Sequence, residues 1–337
     1  IKANGYGHGI EAVAGALVAN ASQTDQSATT LEGCAIAALS EAQRLREWGW
    51  DRPIVLLPGF INTAELDECR RLKVDPVIHS PHQLAILLGN AGGISRVWLK
   101  ANTGMNRLGL NTEAWLEALT ALRAVPNLAV VAMSHLACAD ELDSPVTMKQ
   151  KSQFDSLLAG VGAIRRTLAA SGGILAWPQT HYDIVRPGIM LYGSSPLTGR
   201  SAQSLGLLPV MTLKSRLIAI NTLNAGDAVG YGGTFVADRP MRIGVVSIGY
   251  GDGYPRKAPT DTPVLVETAE GMQRTTLKGR VSMDMITIDV TDLPVDVGAS
   301  VVLWGDGLPA DEIAQHCATI AYELFCQVTA RVPRLFS

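Results

Sequence analysis

Residues 97–135 read VWLKANTGMNRLGLNTEAWLEALTALRAVPNLAVVAMSH. The stretch opens on an apolar run, 97–101, and passes through a glycine-bearing loop into a segment, 112–123, where Trp115, Leu119 and Leu122 recur at steps of four and three. That spacing lays one apolar stripe along a helix. A second apolar run, 129–135, follows. Strand, helix and strand in that order predict a βαβ unit with parallel strands.

The same alternation extends outward. Candidate strands lie at 34–39, 54–57, 76–79 and 184–191, with helix-period segments at 40–48, 63–72 and 151–169. Weaker strand signals sit at 173–177 and, as a stub, at 1–3. Together they fit an α/β fold of the (β/α)8 TIM-barrel type better than an open sheet. Past about residue 207 the texture changes to β-branched runs at 210–222, 241–249, 263–267, 273–281, 285–290 and 300–303. Turn chemistry such as Asn224-Ala225-Gly226-Asp227 and Gly230-Tyr231-Gly232-Gly233 separates them,. One short helix, 309–317, carries Asp311 and Glu312 near its start, where acidic groups suit the helix dipole,. The expectation is a barrel over 1–207 and an antiparallel or mixed, mainly-β domain over 208–337.

Composition narrows the function. The chain has 337 residues, more than one hydrophobic core usually serves,. With 47% hydrophobic and 18% charged residues it is not a disordered chain,. Twenty-eight basic against 31 acidic residues leave a formal charge of -3. That balance argues against nucleic-acid and anionic-membrane surfaces, which need a concentrated positive field. No apolar run approaches the roughly 18 residues of a bilayer-spanning helix. The five cysteines are scattered and form no C-x-x-C pair, which argues against a disulfide framework or structural zinc and for a reducing, cytoplasmic setting,. Of the six histidines, His79 and His82 come nearest to metal-ligand spacing, but they flank a Ser-Pro turn with no partner cluster, so no metal site is expected. The sequence starts at Ile1 rather than at Met.

Several segments combine a strand end with chemistry-bearing side chains. Ile1-Lys2-Ala3-Asn4-Gly5-Tyr6-Gly7-His8-Gly9 puts a lysine before a glycine-rich loop. In a barrel the strand C-termini form the active mouth, and a desolvated lysine there can form a Schiff base; alone, it is also simply a turn lysine. Lys100-Ala101-Asn102-Thr103-Gly104-Met105-Asn106-Arg107 offers Arg107 as a two-pronged binder of carboxylate or phosphate, or as a surface arginine,. His135 ends the next strand, a position more often structural than catalytic. Arg186 lies within an apolar run and must find acceptors, because burying an unpaired guanidinium is very costly. Gly188 follows, with a backbone N–H that a phosphate could approach. In the β-rich part, Ile243–Arg256 runs into a glycine-rich turn displaying Tyr250. Gly279-Arg280-Val281-Ser282-Met283-Asp284, Thr319-Ile320-Ala321-Tyr322-Glu323 and Arg331-Val332-Pro333-Arg334 complete the set. Singly, each also reads as turn or core.

Taken in this order from Lys2 to Arg334, the motifs resemble those of the bacterial alanine racemases, homodimeric pyridoxal 5'-phosphate enzymes built from a (β/α)8 barrel and a C-terminal β domain. The resemblance implies interconversion of L-alanine and D-alanine, for peptidoglycan supply or for catabolism, with no nucleic acid or membrane involved. It implies that Lys2 holds the cofactor and is one of two bases, and that Tyr250, reaching in from the other subunit, is the second. Lys2 would act on the D enantiomer and Tyr250 on the L. Tyr6, Ser171, the backbone at Gly188 and Ile189, and Tyr322 match the phosphate contacts. Arg186 matches the arginine facing the pyridine nitrogen, and Arg107 with the backbone of Met283 the groups that take the substrate carboxylate. Behind them, His135 would orient Arg186 and Arg280 would support Tyr250, with Asp284 close by. Lys100 matches a lysine that is often carbamylated.

Three departures stand out. Family members carry a longer segment before the cofactor lysine, including most of the first barrel strand, so such a segment is expected to be missing here. Ala170-Ser171-Gly172-Gly173 replaces the usual Asn-Ser-Ala-Ala. Asn102 stands where aspartate is more common, which weakens the electrostatic case around Arg107. Two other readings remain: a pyridoxal-phosphate decarboxylase or a serine racemase on a related fold, and a non-catalytic carrier made of a lone barrel. The Lys2–Tyr6 and Tyr250 motifs disfavour the decarboxylase, and the β domain bearing Tyr250 disfavours the carrier.

Overall fold

A computed structural model describes residues 1–21, 30–90 and 92–336. The chain folds as two compact units, one of residues 1–190 and 196–199, the other of 191–195 and 200–337. In the first unit, seven strands pair in chain order, all in parallel: β1 (Cys34–Ile36), β2 (Ile54–Leu56), β3 (Val74–Ile78), β4 (Arg96–Lys100), β5 (Ala129–Met133), β6 (Arg165–Ala170) and β7 (Ile184–Arg186). Helices Leu39–Trp48, Thr63–Arg71, Pro81–Gly89, Thr112–Arg123 and Val146–Leu158 follow β1 to β5 in turn.

The strands are short and buried on both faces, and alternate residues sort into two cores. Val55, Val77, Trp98, Val131 and Met133 form an inner cluster, packed also by Ala35 of β1 and Ile184 of β7. Both edge strands therefore reach the same interior, and the sheet is curled into a half-barrel. Ile54, Leu56, Ile78, Val97, Leu99 and Ala132 face the other way, into the larger core shared with Leu45, Leu66, Leu87, Trp115 and Phe154 from the helices. The period-2 alternation of a strand produces both faces. Loop chemistry starts the helices: the side chains of Asn62, Ser80 and Asn111 each accept from a backbone N–H in the first turn that follows,. At the N-terminal strand ends, Arg96 pairs with Asp75 at 2.7 Å and with Glu32 at 2.9 Å, and Arg165 pairs with Glu32 at 2.7 Å.

Four sequence expectations change here. The segment 151–169 is not one helix: Val146–Leu158 ends before Gly160 and Gly162, both at φ 78, and β6 follows. Two left-handed glycines stop a helix, and the segment that comes next, Arg165–Ala170, joins the sheet,. Residues 173–177, a weak strand signal, fall largely in the short helix Ser171–Ala176. The expected strand over 184–191 ends at Arg186 and tightens into a 3₁₀ turn, Ile189–Tyr192. The stub at 1–3 is not a strand but the entry to a left-handed turn, described below.

The second unit centres on a six-stranded antiparallel sheet. Its strands are β8 (Leu213–Leu223), β11 (Met241–Val246), β12 (Pro263–Thr268), β13 (Gly271–Thr276), β14 (Ile286–Asp289) and β15 (Ser300–Trp304), in the order β13-β12-β15-β8-β11-β14. A small ladder pairs β9 (Ala228–Val229) with β10 (Phe235–Val236). Beside the expected helix, here Ala310–His316, a second one runs over Ala321–Gln327.

Candidate active site

In the first unit the chemistry-bearing residues gather at the C-terminal strand ends, as barrel architecture requires. The backbone N of Ile1 lies 2.9 Å from the carbonyl oxygen of Ala35 in β1, so the chain enters along that edge. From Lys2 it turns the wrong way for L-residues: Ala3, Asn4, Gly5 and Tyr6 have φ of 53, 54, 63 and 51. Left-handed backbone costs a non-glycine residue about 1–2 kcal/mol. Side chains hold it in place. Asn4 N–H donates to Glu41 Oε1 at 3.1 Å, and Ile10 N–H donates to Asn4 Oδ1 at 3.2 Å. The Lys2 side chain is thereby presented on a turn whose shape is imposed from outside it.

At the ends of β6 and β7, Ser171 Oγ accepts from Gly188 N–H at 2.8 Å and from Met190 N–H at 3.4 Å. A Cβ on Gly188 would lie 2.8 Å from Tyr6 Oη and 3.6 Å from Ser171 Oγ. Two hydroxyls and two backbone amides thus converge so closely beside Gly188 that a methyl group there would collide with the Tyr6 hydroxyl. The glycines at 172 and 173 also acquire a reason, since a Cβ at 172 would sit 3.0 Å from Ala139 O and one at 173 would sit 2.9 Å from Ala169 Cβ.

Arg186, half-buried at the end of β7, donates to Ser134 O at 2.8 Å, Leu168 O at 3.0 Å and His135 Nδ1 at 3.3 Å, and also to Thr167 Oγ1. Burial lowers its pKa to about 10. His135 is pushed down to about 3 by burial first and then by Arg186, Lys100, Arg107 and Lys2, so it is neutral. Lys100, buried at the end of β4, falls to about 8, again by burial and then by Arg186, Arg107 and Lys2. Every charge acting on these two groups is positive. Arg107 is exposed in the loop after β4 and has no ion pair among the described residues. That loop is shaped by Asn102, whose Oδ1 accepts from Gly104 N–H at 3.1 Å and Asn106 N–H at 3.0 Å. The neutral amide replaces the aspartate of the family as a loop brace without adding an anion to the cluster.

The second unit holds the other expected residues. Tyr250 N–H donates to Ser282 O at 3.1 Å and Gly251 N–H to Met283 O at 2.8 Å, so the Tyr250 and Met283 turns lie backbone to backbone. Asp284 pairs with Arg331 at 2.8 Å. Tyr322 lies half-buried in the helix Ala321–Gln327. No hydrogen bond or ion pair joins Arg280 to Tyr250 among the described residues; Arg280 Nη1 lies 3.4 Å from where a Cβ of Gly232 would be. Sequence reasoning gave Thr167, Ser134 and Glu41 no role, and it noted Arg331 only within the Arg331–Arg334 motif. A β-branched threonine just past Gly160-Val161-Gly162 was the one signal available for Thr167.

A curled parallel β/α sheet with a cluster of cations at its strand ends, in a chain that also carries a mainly-β unit, is the architecture of a barrel-type enzyme,. Comparison with known proteins narrows this. Residues 1–196 match the family description "Alanine racemase, N-terminal domain" and residues 210–336 match "Alanine racemase, C-terminal domain". The chain is 47% identical to the alanine racemase of Alcanivorax borkumensis over 338 residues, covering 99% of this chain and 90% of that protein. It is 44% identical to the alanine racemase of Nitrosomonas eutropha, with coverage of 99% and 90%. Among solved structures, the biosynthetic alanine racemase of Pseudomonas aeruginosa superposes with a TM-score of 0.91 at 44% identity, covering 100% of this chain and 90% of that one. The chain belongs to the alanine racemase family, a family of isomerases.

Proposed function

We propose that this chain interconverts L-alanine and D-alanine with pyridoxal 5'-phosphate held at the strand ends of the first unit, by proton exchange between two bases at Cα. The observation that carries the reading is the cluster of the Tyr6 and Ser171 hydroxyls with the amides of Gly188 and Met190, drawn together by the close approach at Gly188. A phosphate monoester suits that donor set, and the cations that act together on Lys100 and His135 suit its charge,. Tyr6, Ser171, Gly188, Ile189 and Tyr322 would hold the phosphate, Lys2 would carry the cofactor, and Arg186 would face its ring nitrogen. When bound, the cofactor supplies an electron sink that makes the Cα proton removable.

The protein's own groups do the rest. Arg107 takes the substrate carboxylate through two parallel hydrogen bonds, helped by the backbone of Met283. Lys2 exchanges the proton on the face used by D-alanine and Tyr250 on the face used by L-alanine. Arg186 remains protonated even at a pKa of about 10, so it donates a hydrogen bond to the ring nitrogen and gives it no proton,. Lys100, with its pKa near 8, has a share of neutral amine that can add carbon dioxide and lose a proton; the resulting anion would pair with Arg107 where an ammonium repels it,. The reading includes a homodimer in which Tyr250 of one subunit serves the Lys2 site of the other, as the family resemblance implies. A biosynthetic role is supported by the likeness to the Pseudomonas aeruginosa structure. The five free cysteines suit a reducing cytoplasm,. No described helix is long and apolar enough to cross a membrane.

The test is a racemisation assay on purified protein supplied with cofactor, coupling D-alanine formation to D-amino-acid oxidase. Lys2→Ala should lose turnover by about a thousandfold. Gly188→Ala should bind pyridoxal 5'-phosphate at least about tenfold more weakly, since its methyl group displaces the Tyr6 hydroxyl. Native-like turnover by Lys2→Ala, or unchanged cofactor affinity in Gly188→Ala, contradicts the reading.

A further inference from the structure

We propose that Arg331 is a positioning residue that holds the Tyr250 turn and the Met283 turn in register, and so places the second base relative to the substrate carboxylate site. The inference rests on the roles given above to Tyr250 and Met283. Arg331 Nε lies 3.2 Å from Asp252 Oδ1 and its Nη1 lies 2.8 Å from Asp284 Oδ1. Asp252 is two residues past Tyr250, and Asp284 is next to Met283. One guanidinium therefore spans both turns.

The rest of the local geometry is built around that bridge. The other oxygen of Asp252, which is buried, accepts from Gly249 N–H at 2.9 Å, so the carboxylate ties the residue before Tyr250 to Arg331. A Cβ on Gly249 would lie 2.3 Å from Ser282 O, and one on Gly251 would lie 2.8 Å from Arg331 Nη1 and 3.0 Å from Met283 O. Glycine on each side of Tyr250 is what lets the two turns and the guanidinium come this close. The same terminal segment adds Thr329 N–H to Asp252 O at 3.0 Å and Thr329 Oγ1 to Gly251 O at 3.0 Å. Arg331 itself is largely exposed, and exposed ion pairs add little to stability,. Its value is geometric. A planar fork can meet two carboxylates at fixed directions, which a lysine ammonium does as a point charge only.

Two rates separate positioning from folding: racemisation, which needs both bases, and exchange of the D-alanine Cα proton with solvent deuterium, which Lys2 can perform alone. Both are measured on the cofactor-loaded enzyme, with Tyr250→Phe as a reference that should lose racemisation and keep exchange. Arg331→Ala should lose racemisation by about tenfold or more while exchange falls less, raising the exchange-to-racemisation ratio by about threefold or more. Arg331→Lys should fall between it and wild type, and it decides the matter if Arg331→Ala does not fold. A protein that is merely less well folded loses both rates in proportion and leaves the ratio where it was. If Tyr250→Phe behaves as expected but the Arg331 variants show native racemisation or an unchanged ratio, the positioning role is overturned. If Tyr250→Phe racemises normally, the base assignment fails and this inference falls with it.

Discussion

Arg186 can only donate hydrogen bonds, and that restriction organises its neighbours. His135 Nδ1 must accept from it, so the single proton of the neutral imidazole resides on Nε2,. His135 has its pKa lowered from 6.5 to about 3, by burial and then by four cations, so between those two pH values the unfolded chain binds a proton that the folded chain does not. Stability must therefore fall as the pH drops through that window, with a slope of up to about 1.4 kcal/mol per pH unit from this residue. His135→Asn keeps an acceptor for Arg186 and removes the titration. Urea unfolding at pH 7, 5.5 and 4.5 should show the variant losing stability less steeply than wild type; parallel curves would mean that His135 is not held neutral. His135 and Arg186 stood out in the sequence as a strand-end histidine and an arginine in an apolar run. Their acceptors did not, because three of the four are backbone or threonine oxygens that only the β5–β6–β7 pairing brings together.

The left-handed turn after Lys2 illustrates how an element can depend on a residue remote in the chain. Glu41 accepts from Ala37 N–H at 2.9 Å and Ala38 N–H at 3.2 Å, capping the helix Leu39–Trp48, and its other oxygen accepts from Asn4 N–H. Helix capping and the strained turn thus share one carboxylate. Glu41→Ala should cost about 1 kcal/mol through the lost cap. It should also weaken retention of pyridoxal 5'-phosphate, because Ala3, Asn4 and Tyr6 are then free to leave positive φ. Thermal melting and equilibrium dialysis read the two effects separately. Reduced stability with unchanged cofactor affinity would show that Glu41 caps the helix without holding the Lys2 segment. The helix over 112–123 was legible to the residue, since its apolar spacing runs over the whole of its length. The segment 151–169 misled because apolar steps of three and four continue past Leu158 into a strand, where the same residues serve a period of two.

At the scale of the molecule, the proposed sharing of Lys2 and Tyr250 across subunits makes the site a property of the assembly. Lys2→Ala and Tyr250→Phe proteins, each inactive alone, should regain activity when their subunits are exchanged. In an equal mixture half the dimers are mixed, and each holds one intact site, so roughly a quarter of wild-type turnover is expected. The check is the coupled assay before and after reversible dissociation, with exchange verified by mass. Absence of recovery after verified exchange would rule out a site shared across subunits.

Periodicity and turn residues in the sequence indicated the two-part α/β and mainly-β organisation, and the family resemblance carried by six ordered motifs implied the candidate groups: Lys2, Tyr6, Arg107, His135, Arg186, Tyr250 and Met283. Those are local properties, carried by spacing and residue type. The tertiary structure alone decided that both edge strands share one interior, that Gly188 packs closely against Tyr6 and Ser171, that Lys2 leaves on a left-handed turn held by Glu41, and that Arg331 joins two turns. Each of these depends on atoms brought together from distant parts of the chain. Hydrogen-bond acceptors and the space left by a missing Cβ have no period to read. They exist only once the backbone has closed around them.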